Sequence, residues 1–168
     1  MARPTSTQFA VAVHVLTYLS GVAAEARPED PAAEARPESP PAEPRPGSSA
    51  SQARSVSSEE LALSAHANAV HVRRVLGPLR EAGLVLSRPG PRGGWALGWP
   101  AEEITVAQVW DLVQGHEPVL GLHGPNPACP VGRSIQQSLT DLDARARQAV
   151  RTELDRVTVA DLATAVVV

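Results

Sequence analysis

The chain carries, between Leu79 and Leu97, the sequence LREAGLVLSRPGPRGGWAL, in which a helix gives way to a hairpin. The first residues have helical spacing, and Gly83 is suited to end a helix. The segments Leu84–Arg88 and Trp95–Gly98 predict two short strands, joined by a Gly- and Pro-rich turn that contains an arginine. A helix that runs directly into a two-stranded ribbon with a basic tip predicts a winged helix-turn-helix. In that fold the helix enters the major groove of DNA and the ribbon reaches the backbone or the minor groove.

The residues before this stretch predict the two helices of the helix-turn-helix. Ser57 and Glu60 have the S-x-x-E spacing of a capping box, which predicts a helix that runs to about Ala65. Asn68 is suited to cap a second helix. Pro78 lies within that helix, and we expect a kink there and not a break, because the apolar stripe continues past the proline. The predicted buried face of the second helix consists of Val72, Val75, Leu76 and Leu79.

Charge is distributed unevenly along the chain. The net charge is −3, and all 15 basic residues are arginines. Between Leu61 and Trp99, however, five arginines stand against one acid, Glu81, whereas residues 21–60 and 100–168 each carry an excess of acidic side chains. DNA affinity depends on local positive charge through the release of counterions from phosphates. The distribution of charge therefore favours DNA binding despite the negative net charge.

The N-terminal third divides into a helix and a segment of different composition. Residues 1–20 predict the first helix of the winged-helix domain, and their apolar run falls short of the ~20 residues that a bilayer requires. Residues 21–56 are rich in Pro, Ala and Glu and contain the degenerate repeats AAEARPEDP and AAEARPESP. We expect a disordered insertion there, either a tolerated loop expansion or a segment that binds a partner. Since no signal peptide is predicted, we expect a cytoplasmic protein.

The C-terminal part predicts further helices around a loop. Residues 57–115 complete the winged domain with a helix that Thr105 and Gln108 cap. Residues 116–129 predict a loop, and residues 130–168 predict a helix of roughly seven turns followed by a short closing helix. The long helix has one narrow apolar seam, typical of a dimerisation helix, although packing on its own domain is the alternative. The seam consists of Ile135, Leu139, Leu142, Ala146, Ala149 or Val150, Leu154 and Val157. The predicted fold class is mainly α with a small β-wing, a winged helix-turn-helix with a long C-terminal dimerisation helix.

These segments resemble the IscR/NsrR-type regulators, the Rrf-two family of bacterial winged-helix transcription factors. The resemblance covers nearly the whole chain outside the insertion. It implies a homodimer that binds a palindromic operator in double-stranded DNA and regulates transcription, here expected to be a repressor. The residues that carry it are SSEELA at 57–62, NAVHVRRVLGPLREAGLV at 68–85, SRPGPRGGWAL at 87–97 and PAEEITVAQVWDLVQG at 100–115.

The resemblance also implies which residues contact DNA. The segment Asn68–Arg74 would enter the major groove, and the wing would touch the minor groove. Because Arg73 and Arg74 point about 100° apart on a helix, we expect one to read a base and the other to hold a phosphate. Family members commonly have an arginine directly before the first glycine of the wing, where this chain has a proline, so either Arg88 or Arg92 would take that role. The candidate DNA-binding residues are Asn68, Val70, His71, Arg73, Arg74, Arg88 and Arg92.

Cys129 is the single cysteine of the chain. Iron–sulfur members of the family have three cysteines before the long helix, so neither such a cluster nor any other cofactor is expected here. Pro130 is suited to the first helical position, which makes Cys129 the N-cap. Backbone N–H groups, the helix dipole and the nearby Arg133 would then favour the thiolate. Cys129 is therefore a candidate redox-sensing residue, with an inert cysteine as the alternative.

Other functions fit individual residues less well. His116 and His123 could join Cys129 as metal ligands, but two histidines and one cysteine in an irregular loop are a weak pattern, and no metal site is predicted. A cysteine-dependent enzyme with His123 as the base would need a substrate-pocket motif that the sequence lacks, so we do not expect an enzyme. A winged-helix module that binds protein instead of DNA would not need the local positive charge.

Overall fold

The computed structural model describes residues 5–25, 54–90, 93–114 and 117–165, and these form helices around a single hairpin. The helices are α1 (Thr5–Glu25), α2 (Ser58–Ser64), α3 (Ala69–Glu81), α4 (Val106–Gln114), α5 (Pro130–Leu154) and α6 (Val159–Thr164). The strands are β1 (Val85–Arg88) and β2 (Gly94–Leu97), which pair antiparallel from Val85–Leu97 to Arg88–Gly94. A 3-10 turn at Ala101–Glu103 was not predicted. The predicted fold class, mainly α with a small β-wing, is confirmed.

Helix α1 lies in the middle of the fold. It contacts α3, α4, α6 and β2, and its Ala12, Val15 and Leu16 are fully buried. The stretch Thr7–Glu25 is long and apolar enough to cross a membrane by length and composition alone, with a mean hydropathy of 1.3. The sequence-based estimate of a shorter apolar run was therefore wrong. In this fold 22 % of that stretch is buried, in the stripe that includes Ala12, Val15 and Leu16, and further apolar side chains of α1 pack partly buried against the core.

The boundary predicted after residue 20 is corrected by the length of α1. The helix continues to Glu25, and Val22 packs against the core. Gly21 is the residue that favoured an earlier end, but a glycine costs a helix interior only ~1 kcal/mol relative to alanine. The burial of Val22 offsets that cost, so five residues assigned to the insertion belong to the domain.

The boundary predicted at the other end of the 21–56 insertion also moves. Val56 is fully buried, and its backbone exchanges hydrogen bonds of 2.9 and 2.8 Å with the backbone of Trp95 on β2. A Cβ at Gly94, whose φ is +149°, would lie 2.4 Å from the carbonyl oxygen of Val56. Only glycine fits there, because any side chain would collide with this added backbone. The prediction of disorder for residues 26–53 concerns residues outside the described ranges and stays a prediction.

The two helix caps predicted for the helix-turn-helix are confirmed, but the capping box expected at Ser57 is only half formed, because the Glu60 carboxylate accepts hydrogen bonds from other side chains, Arg54 among them. The hydroxyl of Ser57 accepts a hydrogen bond from the backbone N–H of Glu60 at 3.0 Å, and the side-chain oxygen of Asn68 accepts one from the N–H of His71 at 2.8 Å. These contacts satisfy backbone donors that the first turn of a helix leaves unpaired. They therefore fix where α2 and α3 begin.

Helix α3 buries the face that the sequence predicted. It runs through Pro78 as one helix, as expected, and Gly83 follows its end with a φ of +78°, a conformation that favours glycine. The residues of α3 that are buried in the core are Val72, Val75, Leu76 and Leu79. Since the apolar face is used inside the domain, the polar face of α3 is presented to solvent.

The chain returns to the winged domain after α5. The backbone N–H of Val106 donates to the carbonyl of Val157, and the N–H of Val159 donates to the carbonyl of Ile104, each at 2.9 Å. Thr158 caps α6 in a full capping box with Asp161 and so begins the short closing helix that the sequence predicted after the long one. The C-terminal end of the long helix α5 is thereby connected to the winged domain.

Candidate nucleic-acid interface

The solvent-facing side of α3 carries three of the predicted DNA-contacting side chains. Val70 is 62 % exposed, and Arg73 and Arg74 are also exposed. Val70 and Arg74 are four residues apart, so they stand one above the other on the side opposite the buried face. An apolar side chain exposed to this degree next to an arginine is suited to a thymine methyl group beside a guanine edge.

The adjacent arginines differ in their surroundings. The Nη1 of Arg73 lies 3.2 Å from Oε1 of Glu59 on α2, in an ion pair whose side chains are 49 % and 71 % exposed. The pKa of Glu59 is held below its ordinary value by a hydrogen bond to its own backbone amide and by the Arg73 guanidinium. Within the part of the chain that the structure describes, Arg74 makes no hydrogen bond or ion pair. Sequence reasoning did not identify Glu59, although its place in the first turn of α2 was a signal.

Asn68 and His71 lie at the N-terminal end of α3. Asn68 is exposed, but its side-chain oxygen is used as the helix cap. His71 is half-buried at the side of the helix. The structure therefore places both near the candidate interface, with Asn68 fixing the end of α3 that would enter a groove.

The wing extends from the end of α3. Arg88 ends β1 and is exposed, and the N–H of Gly93 donates to the carbonyl of Gly90 at 2.8 Å to close the turn. A Cβ at Gly93 would lie 2.1 Å from the carbonyl oxygen of Arg88, so a side chain is excluded at that position. Arg92, the other predicted wing contact, lies outside the described residues.

A buried hydrogen bond ties the wing to the helix-turn-helix. The indole Nε1 of Trp95 on β2 donates to the hydroxyl of Ser58 on α2 at 2.9 Å, and both residues are buried. Burial strengthens such a bond and makes an unpaired partner costly. The bond fixes the orientation of the hairpin relative to α2, and sequence reasoning did not find it because the residues are 37 positions apart.

Cys129 caps α5 as the sequence predicted. Its Sγ accepts a hydrogen bond from the N–H of Gly132 at 3.4 Å, Pro130 is the first residue of the helix, and Cys129 itself is exposed. The guanidinium of Arg133 donates from Nη1 to the carbonyl of Pro127 at 2.7 Å. The cap geometry is confirmed, and an effect of Arg133 on the thiol stays a prediction.

The apolar seam of α5 is left open to solvent. Ile135, Leu142 and Val150 are 47 %, 44 % and 37 % exposed. The helix packs on α4 through a different, polar face, on which Arg151 pairs with Asp111 at 2.9 Å. The contact of α5 with its own domain therefore leaves these three seam residues exposed, whereas the others of the seam, Leu139, Ala146, Leu154 and Val157, are half-buried.

The polar face of α5 also binds the loop that precedes α5. The guanidinium of Arg147 stacks over the ring of Trp110 at 5.2 Å and donates to the carbonyl of Glu117 at 2.6 Å. Asp143, which is buried, accepts a hydrogen bond from the N–H of Leu120 at 2.7 Å. The first residues of the described loop are thus held against the α4–α5 junction.

Comparisons with known proteins agree with this geometry. Residues 48–165 match the model of the Rrf2 family, described as iron-dependent transcriptional regulators. The chain is 36 % identical over 97 residues to YwnA of Bacillus subtilis, assigned as an HTH-type transcriptional regulator, which covers 57 % of this chain and 72 % of YwnA. It is 31 % identical over 106 residues to CymR of the same organism, an HTH-type transcriptional regulator, which covers 62 % of this chain and 70 % of CymR.

A solved structure from Lactobacillus plantarum, assigned as a transcriptional regulator, is also similar. It matches with a TM-score of 0.66 and 26 % identity, over 92 % of this chain and 86 % of that one. Because the family match spans most of the chain, the resemblance drawn from the sequence is confirmed. The chain belongs to the Rrf2 family and is a winged helix-turn-helix, DNA-binding transcriptional regulator.

Proposed function

We propose that this protein is a cytoplasmic homodimer that binds a palindromic operator and represses transcription from it. The observation that carries the proposal is the open face of α3, where Val70, Arg73 and Arg74 stand together beside the wing. The fold uses the opposite face of α3 for its core. A rigid helix with an exposed basic face, flanked by a hairpin, is suited to lie in a major groove.

The two arginines take different roles in this proposal. Arg74 lies in line with Val70, and its guanidinium is available for two hydrogen bonds to O6 and N7 of a guanine. Val70 contacts the methyl group of a neighbouring thymine. Arg73 lies at the side of α3 that faces α2, where Glu59 holds it, and contacts a phosphate. Asn68 and His71 lie at the end of α3 that enters the major groove. Arg88 and Arg92, on the wing, contact the minor groove or the DNA backbone.

The dimer in this proposal forms through α5. Its open seam would bury Ile135, Leu142 and Val150 against the same residues of a second copy, in an arrangement with twofold symmetry. Two recognition helices related by such an axis read two half-sites about one helical turn apart, which is why a palindrome is expected.

The test of the proposal is fluorescence anisotropy with the purified protein and duplexes that tile the DNA upstream of its own gene. We expect one duplex to be bound tightly, with an affinity that falls steeply with salt. Footprinting on that duplex should protect two symmetric half-sites. Binding that is absent from every duplex at low salt would overturn the proposal, and salt-dependent binding of equal strength on every duplex would overturn its sequence specificity.

The residues of this chain do not fit an iron–sulfur cluster, although the family model is described as iron-dependent. Cluster ligation in proteins rests on several thiolates, and Cys129 is the single cysteine. Within the described residues no three His, Cys, Asp or Glu side chains lie close enough to hold a metal ion, and His116 falls outside those residues. We propose a regulator that needs no cofactor and catalyses no reaction.

A second candidate function, a response to thiol oxidation, is favoured by the position of Cys129. The thiol is exposed and caps the helix that carries the proposed dimer seam. Peroxide would convert it to a sulfenic acid with release of water, and a second thiol, from a small molecule or from the other subunit, would then form a disulfide and release another water. The added group would remove the cap interaction, which is worth about 1 kcal/mol for typical caps.

Peroxide titration of operator binding tests this second function. We expect peroxide with a small thiol to weaken the wild type several-fold, and reductant to restore it. The variant Cys129→Ser keeps a hydroxyl at the cap and should not respond. A Cys129→Ser protein that responds like the wild type would show that Cys129 is inert.

A further inference from the structure

The acidic residue Glu59 lies on the same surface as the basic side chains that face DNA. It is the second residue of α2, and its carboxylate pairs with Arg73 across the turn of the helix-turn-helix. Like any exposed carboxylate, Glu59 is charged at neutral pH, and hydrogen bonds from its own backbone amide and from Arg73 hold its pKa below the ordinary value. A negative charge at this point opposes the approach of phosphates, so its presence on a DNA-binding face asks for an explanation.

The fold does not depend on this ion pair. Both side chains are largely exposed, and exposed pairs contribute little to stability because solvent screens them. Helix α2 is already held by the Ser57 cap and by the buried bond between Ser58 and Trp95. The bond to its own backbone amide explains an acid in the first turn of α2, but not the pairing of Glu59 with Arg73, which a function in DNA binding explains.

We propose that Glu59 determines specificity by restraining Arg73, so that sequence-independent binding to DNA is weakened more than binding to the operator. This rests on the DNA-binding role proposed above. Binding to random duplexes depends almost wholly on phosphate contacts. Each such contact by Arg73 must first displace Glu59, which reduces what that arginine contributes. On the operator, base contacts by Arg74 and Val70 fix a register in which a phosphate meets the remaining N–H groups of Arg73 while its Nη1 stays with Glu59, so Glu59 is not displaced there.

The first measurement is the salt dependence of binding for Glu59→Gln on a random duplex and on the operator. We expect affinity for the random duplex to rise about two- to fivefold, with a smaller change on the operator, so the ratio of the two affinities falls. The logarithmic salt slope on the random duplex should steepen by up to about 0.9 for each helix-turn-helix that is engaged, because Arg73 now releases a counterion in full. An unchanged slope would overturn the proposal.

A second measurement separates restraint of Arg73 from simple repulsion by the carboxylate. In the background Arg73→Gln, the substitution Glu59→Gln should have no further effect on the random duplex, since the partner is gone. If the substitution still raises affinity there, Glu59 acts by direct repulsion and the proposed restraint is wrong. The matched control is Glu102→Gln, which removes one negative charge from the 3-10 turn that packs on α1 and α6. It should leave both slopes unchanged.

The same data distinguish failure of this inference from failure of the proposed function. If the wild type binds no duplex in a salt-dependent manner, the DNA-binding role itself fails. If the wild type binds and discriminates, but Glu59→Gln does so equally well, only the role of Glu59 fails. Thermal unfolding of each variant is the control for loss of fold: where the Tm is unchanged, a difference in binding arises from the DNA contact itself.

Discussion

Helices α3 and α5 carry the same kind of apolar pattern but use it in opposite ways. In α3 the apolar residues are buried in the chain's own core, and Leu76 and Leu79 are fully buried. In α5 the seam stays open, with Ile135 and Leu142 nearly half exposed, and a polar face makes the contact with α4. An amphipathic pattern thus predicts a buried face without saying what buries it.

The difference assigns a separate task to each helix. Because α3 uses its apolar face for the fold, its polar face is held rigidly and can present Arg74 to a ligand. Because α5 leaves its apolar face uncovered, that face is suited to a second protein molecule.

The largest expected effect is loss of stability in Leu76→Ala. The side chain is fully buried, and leucine-to-alanine changes at such sites cost about 2–5 kcal/mol through lost burial and a cavity. We expect a lower Tm that does not depend on protein concentration. Leu142→Ala, the matched change on α5, should lower the Tm only through the dimer and therefore in a concentration-dependent manner. If Leu142→Ala lowers the Tm equally and without dependence on concentration, Leu142 is buried within its own domain as Leu76 is, and the two helices do not differ.

The next effect is loss of the dimer in Leu142→Glu and in Leu139→Glu. A carboxylate placed in a buried seam would lose its hydration without gaining a partner, so the monomer is favoured. Light scattering should give the monomer mass, and operator binding should weaken because one half-site supplies few contacts. Gln136→Glu adds the same charge at an exposed position about a quarter turn from the seam and should leave the dimer intact. A dimer that survives both seam changes would place the interface elsewhere, with α1 the next helix to test.

A smaller effect is expected on DNA binding in Arg74→Ala. If Arg74 reads a guanine, its removal should cost about 1–3 kcal/mol on the operator and relax the preference at one base position. Arg73→Ala should instead weaken binding on all sequences, by less, with a shallower salt slope. Arg145→Ala removes an exposed arginine from α5 and should change neither. If Arg73→Ala produces the base-specific loss, the roles assigned to the two arginines are reversed.

Local signals in the sequence predicted much of the fold. The caps at Ser57 and Asn68 and the helix stop at Gly83 depend on residues within a few positions of one another. The buried face of α3 follows from the spacing of its apolar residues. These features were predictable because their causes lie within one or two turns of the chain.

Long-range pairings were not predictable in the same way. The bond between Val56 and Trp95 spans 39 positions, and the pair of Glu59 and Arg73 depends on how α2 crosses α3. Spacing alone could not choose between the two arginines, because both are exposed on a helical wheel. Their difference arises from an acid on another helix, which is known only once the helices are packed together.

The smallest expected effect is that of removing residues 26–53 and joining Glu25 to Arg54 with a short Gly/Ser linker. Neither DNA binding by α3 nor dimerisation through α5 should change, because the sequence removed offers almost no apolar side chains to a core. The limits of the deletion matter. Val22 packs against the core, and Arg54 makes two hydrogen bonds, of 3.1 and 2.7 Å, to the Glu60 carboxylate.

The expected result of that deletion follows from chain entropy. Each halving of a flexible loop gains only about 0.6 kcal/mol, so the Tm should stay the same or rise by a few degrees. Operator affinity and dimer mass should be unchanged. A control deletion that also removes Arg54 should lower the Tm, because the Glu60 carboxylate, whose pKa Arg54 holds below its ordinary value, would lose its cationic partner. If removing residues 26–53 alone destabilises the protein or abolishes binding, the segment is part of the domain and the composition argument fails.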